Sequence, residues 1–161
     1  MLFRRRTRVA DLEVGREQVV RGRVVAGKEM SAPGSGTKCA FCETLLESFE
    51  VGARGRGRRM WLPKGMERRC DGFFVDDGSG RVWVRGDVGA IALRGGAQES
   101  GLMGKKGRQR YTGRLIRSGD VVEVRGVVSR PKGGEPGEAL ALAPGRKGRL
   151  DIWFRRAAGS P

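Results

Sequence analysis

The chain has 161 residues, with 33 lysines and arginines against 18 aspartates and glutamates, a formal charge of +15, and no histidine. That length fits one domain. Three cysteines are too few for a disulfide scaffold, and no stretch approaches the ~20 apolar residues of a membrane-spanning helix.

A charge excess of this size repels itself in the compact state and is most simply explained by an anionic partner. The alternative is a genomic base bias that inflates Arg and Gly alike. Residues 1–14 read as a basic N-terminal segment. Met1 to Arg8 lacks the apolar run of an export signal, so a soluble, cytoplasmic protein is expected.

In chain order, Gln18 to Val25 alternates as a strand, with Val20, Gly22 and Val24 on one face and Arg21 and Arg23 on the other. Ser31 to Lys38 reads as a loop. Cys39 to Val51 reads as a bent strand, although Glu43 to Phe49 also fits helical spacing. Gly52 to Arg59 reads as a second loop and Met60 to Leu62 as a short strand. Asp71 to Arg85 is expected to form a hairpin, and 94–110 a flexible, Gly-rich loop with too few apolar anchors to order itself. Asp120 to Val128 alternates again, Arg130 to Glu138 is a Pro/Gly connection, and Leu150 to Phe154 is a last strand. Residues 15–156 are thus expected to form a single domain and 157–161 a disordered tail. Glycine inside a strand marks a bend or a close backbone approach, so Gly22 and Gly126 point to a small curled barrel rather than a flat sheet.

The hairpin carries the most information. A turn at Gly78-Ser79 would pair Asp76 with Arg81, Val75 with Val82, Phe74 with Trp83 and Phe73 with Val84. Phe73, Val75, Val82 and Val84 then share a core face, with Asp76, Phe74, Trp83 and Arg81 opposite. That second face either packs under a neighbouring segment or offers aromatic rings for bases to stack on.

The runs FFVDDGSGRVWV and SGDVVEVRGVV resemble the middle and fourth strands of domains with the oligonucleotide/oligosaccharide-binding (OB) fold. The wider order, V-R-G-R-V, S-A-P-G-S-G-T-K-C, the D-D-G-S-G hairpin and G-D-x-V-x-V-x-G, is similar over residues 15–130 to one subgroup, the GIDE domain. That domain occurs in mitochondrial outer-membrane RING ubiquitin ligases and in bacterial membrane proteins. The resemblance implies an OB-like Greek-key barrel and a binding role, with at most one or two short helices. It does not carry ligase activity, because the chain lacks the eight or so Cys/His ligands of a RING.

Basic residues cluster in the expected loops and termini. Arg54, Arg56, Arg58 and Arg59 alternate with glycines that leave their guanidinium groups adaptable to an irregular phosphate path. Lys105, Lys106, Arg108 and Arg110 precede Tyr111, a further candidate for stacking. With Phe74, Arg81 and Trp83, these are the candidate nucleic-acid contacts.

Catalysis has little support. The commonest general base and zinc ligand, histidine, is absent. Cys39-x-x-Cys42 with Cys70 falls one thiol short of a closed zinc site, and on an extended strand residues 39 and 42 would face opposite ways. The thiols read as structural, with redox sensitivity a lesser alternative. Asp76-Asp77 is turn chemistry, and Gly34 to Lys38 lacks the phosphate-loop order. No metal, cofactor or catalytic residue is expected. The leading expectation is a non-catalytic module for single-stranded or structured nucleic acid with little sequence preference. The alternative is a GIDE-type protein-interaction adaptor, and weak contact with anionic membranes is a third option.

Overall fold

In the computed structural model, which describes residues 5–51 and 58–160, the chain is almost entirely β. Strand β1 (Glu17–Ala26) buries Val20, Gly22 and Val24 and exposes Arg21 and Arg23, as its alternation dictates. It pairs with β11 (Val121–Ser129) along most of its length, then with β6 (Phe73–Asp76) at its end. Strand β6 turns back into β7 (Arg81–Val84), which runs parallel to β12 (Ala141–Ala143); β12 pairs with β11 and closes the ring. The cycle β1-β6-β7-β12-β11 is a closed five-stranded barrel of OB-like form. Strand β13 (Leu150–Arg156) continues the sheet beyond β11 and pairs in parallel with β8 (Ile91–Arg94).

Closure depends on the strand glycines. A Cβ on Gly22 would lie 2.4 Å from the Asp76 carbonyl oxygen, and one on Gly126 would lie 2.6 Å from that of Ala143. Both are sites of close backbone approach, where any side chain would force strands apart. The interior is filled by Val20, Val24, Phe73, Val75, Val82, Val84, Val122, Val124, Leu142 and Ile152, each 0–1% exposed. Such a side chain contributes roughly 1.5–3 kcal/mol when fully buried.

Two insertions extend from the barrel. Between β1 and β6 the chain forms a two-rung hairpin, β2 (Met30–Ser31) with β3 (Lys38–Cys39), and a long one, β4 (Phe41–Val51) with β5 (Arg59–Cys70). Between β8 and β11 it forms β9 (Ala97–Met103) and β10 (Gln109–Ile116). Strand β10 pairs with β4, so the hairpins merge into one four-stranded sheet, β5-β4-β10-β9, called the wing below.

Several expectations are corrected here. The region 94–110 is not a structureless loop: β9, a one-turn 3₁₀ segment (Lys105–Gly107) and the start of β10 occupy it. Its missing apolar anchors are replaced by backbone pairing of β9 to β10, which is itself paired to β4, a partner far away in sequence. The short strand at 60–62 extends to twelve residues, since Pro63 and Lys64 are accommodated by a bulge opposite Leu46/Glu47 on the sheet's edge. The 31–38 segment is mostly the β2–β3 hairpin, and 43–49 is strand rather than helix. The expected disordered tail forms a turn over 157–160, with the Ala158 N–H donated to Asp120 Oδ1 at 2.8 Å.

Candidate nucleic-acid interface

The β6–β7 hairpin adopts the register its sequence dictates, and Phe73, Val75, Val82 and Val84 are fully buried. Its other face is not open for stacking. Trp83 is only 9% exposed because its ring lies across Gly72, where a Cβ would come within 2.2 Å, and against Gly27. Phe74 is half-buried and meets Trp83 edge to face, with centroids 4.9 Å apart at 69°. The Arg81 guanidinium sits 5.8 Å from the Phe74 centroid, and its Nε donates to Asp76 Oδ2 at 3.1 Å. Of the two alternatives for this face, Trp83 takes the packed one, and Phe74, Trp83 and Arg81 form a structural cluster rather than an open stacking platform.

The far end of the wing is different. Val51 on β4 pairs with Arg59 on β5, and the Phe49 N–H donates to the Arg108 carbonyl at 2.7 Å. The β4–β5 connection and the β9–β10 turn therefore leave the wing at the same end. Arg58, Arg59, Lys105, Lys106 and Arg108 are all exposed there, and none forms an ion pair among the described residues. Arg54 and Arg56 lie outside the described residues. Two candidates of the second basic cluster turn away from this role. Arg110 donates to both carboxylate oxygens of Glu47, at 2.7 and 3.1 Å, which holds Glu47 below the usual carboxylate range. Tyr111 lies on the other wing face, half-buried under Gly34, where a Cβ would be 2.3 Å from its ring.

Sequence reading missed a second aromatic pair. Phe49 and Trp61 are directly opposed on β4 and β5, with centroids 5.1 Å apart and rings tilted by 40°. The Arg110 guanidinium, already anchored by Glu47, lies 4.5 Å from the Trp61 centroid. Alternation places Leu45, Glu47, Phe49 and Val51 on this face, and the cross-strand register adds Met66 and Leu102. Val51, Met66 and Leu102 are 51%, 52% and 67% exposed. The available signal was Met60-Trp61-Leu62 directly after the Arg-rich loop, which continues the alternation of Phe49 and Val51 across the turn.

Other arginines are tied to acids. Glu123, though 7% exposed, faces Arg6 at 2.8 Å, Arg155 at 3.2 Å and Arg21 at 3.8 Å. Asp151 is held by Arg125, with Arg149 at 3.7 Å. A shallow groove of about 740 Å³ runs along the N-terminal segment, lined by Arg6, Arg8, Arg21 and Arg23 with Asp76 and Asp77.

Among the described residues no three His, Cys, Asp or Glu side chains converge as a metal site, and no helix is long and apolar enough to cross a membrane. Cys39 and Cys42 do not face opposite ways: both enter one small apolar cluster with Ala32 and Leu115. Cys70 belongs to the barrel core, where burial pushes its thiol up to about 11. Compared with known proteins, the chain matches no family, no curated protein and no solved structure.

Proposed function

We propose that the chain is a non-catalytic nucleic-acid-binding module that grips single-stranded or structured nucleic acid at the far end of the wing, with little sequence preference. The reading rests on one observation: two basic hairpin turns, far apart in sequence, share one end of a sheet whose adjoining face carries Phe49 and Trp61. Five cations without acidic partners among the described residues are electrostatically available to phosphates, while a ring pair accepts any base because every base has a π-face. Neutralising five phosphates gives a salt slope of roughly −3.5 on single strands, at about −0.7 per contact. OB-type barrels commonly use the loop between their first two strands for oligonucleotides, and β4 and β5 are inserted there.

The test is fluorescence anisotropy with mixed-sequence oligonucleotides across a salt series. Binding that weakens as salt rises, with a slope flattened by Gln at 58, 59, 105, 106 and 108, supports the reading. No binding at low salt ends it.

A second reading has its own support. Leu102, Met66 and Val51 are exposed on the same face, and β9 is an edge strand of the wing with no partner on its outer side among the described residues. Such an edge and face suit strand addition by a protein partner, the adaptor role implied by likeness to the GIDE domain. A partner captured by the five-Gln variant but lost on Leu102→Asp favours this reading.

A further inference from the structure

In a continuous strand, residues three apart face opposite ways. Here the strand is interrupted: β3 ends at Cys39, β4 begins at Phe41, and the intervening Ala40 turns its N–H to the Ile116 carbonyl at 2.8 Å. That break brings the side chains of Cys39 and Cys42 to the same side. They share an apolar cluster with Ala32 and Leu115, and Ala97 packs against it. The two thiols are near enough to perturb each other's titration. Cys70 is opposite Phe41 in the β4–β5 register and faces the barrel interior, so it is not the third member of a set.

A pair of small apolar residues would fill the cluster equally well, and free cysteines often serve only that purpose. Two features go beyond filling. The two side chains share one buried cluster, and Cys42 lies opposite Arg69 across the β4–β5 ladder, a positive charge that favours a thiolate even though Glu67 pairs with it at 2.8 Å. The cover over them is slight. The β2–β3 hairpin has only two paired rungs, Met30 with Cys39 and Ser31 with Lys38. Its other ties are at its turn, the Ala32 N–H to the Thr37 carbonyl and the Ser35 and Thr37 hydroxyls to Glu99, so it can open locally without unfolding the barrel.

We propose that Cys39 and Cys42 form a reversible dithiol–disulfide site, oxidised by a peroxide that enters when the β2–β3 hairpin opens. The Cys42 thiolate attacks one peroxide oxygen, and the O–O bond breaks. The departing hydroxide takes up a proton and leaves as water, so Cys42 becomes a sulfenic acid. The Cys39 sulfur then attacks Cys42 Sγ and displaces hydroxide, which takes the Cys39 proton and leaves as a second water. Two thiols and one peroxide become one disulfide and two waters. The Arg69 charge opposite Cys42 favours its thiolate, which assigns Cys42 as the nucleophile and Cys39 as the resolving thiol. The bond would tie β3 to β4 where the wing leaves the barrel.

The test uses the full chain treated with hydrogen peroxide, quenched in acid, alkylated in denaturant and digested without reduction. Cleavage after Lys38 and Arg54 leaves Cys39 and Cys42 on one peptide and Cys70 on another. The expected product is that peptide lighter by two hydrogens and unalkylated, formed at least about tenfold faster than Cys70 is lost, and restored by dithiothreitol. Cys70→Ser leaves the result unchanged, and Cys42→Ser leaves Cys39 alkylated. Full alkylation of both cysteines after treatment, a bond involving Cys70, or oxidation to sulfinic acid without a disulfide each overturns the proposal.

Discussion

Arg110 clasps Glu47 through two hydrogen bonds while its guanidinium plane lies over Trp61 at 4.5 Å. The charge is thus spent on holding an indole in place. This relationship gives the first prediction. Trp61→Ala should weaken binding to single-stranded oligonucleotides by about 5- to 100-fold, the loss of one base stack, and leave the salt slope intact. Anisotropy titrations check it, with thermal unfolding showing that the barrel survives.

The five exposed cations at the wing tip should behave in the opposite way. Replacing Arg58, Arg59, Lys105, Lys106 and Arg108 with Gln should reduce affinity evenly across sequences and bring the salt slope toward zero by roughly 0.7 per lost contact. Arg110→Gln should act mainly through Trp61, with little change in slope.

Barrel closure is sensitive at Gly22. Gly22→Ala puts a Cβ against the Asp76 carbonyl, where only backbone could yield, and should destabilise the chain by about 3 kcal/mol, at the upper end of overpacking. Urea unfolding checks it, and alanine at Gly133, which has open space around it, is the control with little expected change.

Acid should loosen the barrel's β11–β12 connection. Burial alone would raise the Glu135 pKa, but the Arg85 hydrogen bonds and the Lys132 N–H outweigh it and hold it below the usual carboxylate range. A depressed folded-state pKa contributes stability that is complete above about 4.3, the unfolded value, and is lost as pH falls toward the folded one. Wild-type stability should therefore decline below about pH 4.3, and Glu135→Gln should be less stable at neutral pH with a shallower acid decline. Arg85→Met leaves the half-buried Glu135 carboxylate without its charged partner and should cost about 1–3 kcal/mol at pH 7. Denaturant midpoints measured from pH 3 to 7 check both.

Four of the five barrel strands, β1, β6, β7 and β11, were legible because they carry alternation and the hairpin a turn with one favoured register; β12, three residues long, was not, since so short a run has no period to read. Even the close approaches at Gly22 and Gly126 could be read from glycines in the middle of valine runs. The wing was not legible. Ala97 to Met103 has no apolar alternation, and its order comes from pairing with β10, itself paired to β4 from another part of the chain. Local composition cannot report a ladder whose other half lies elsewhere. The same gap hid the site: Phe49 and Trp61 meet only once β5 is recognised as twelve residues long, whereas Phe74 and Trp83 were paired correctly but are closed off by Gly72 and Gly27.

The wing's construction also bears on how the molecule assembles. Its central seam, β4 against β10, joins two excursions from different barrel connections, so neither hairpin can find the other until the strands that carry them are near neighbours. Loop-closure entropy places such distant pairings late. The seam should accordingly knit after the barrel has formed and be the first part to open under mild denaturant, so that the Arg110 clamp on Trp61, which reaches across from β10, exists only in chains whose barrel is already complete.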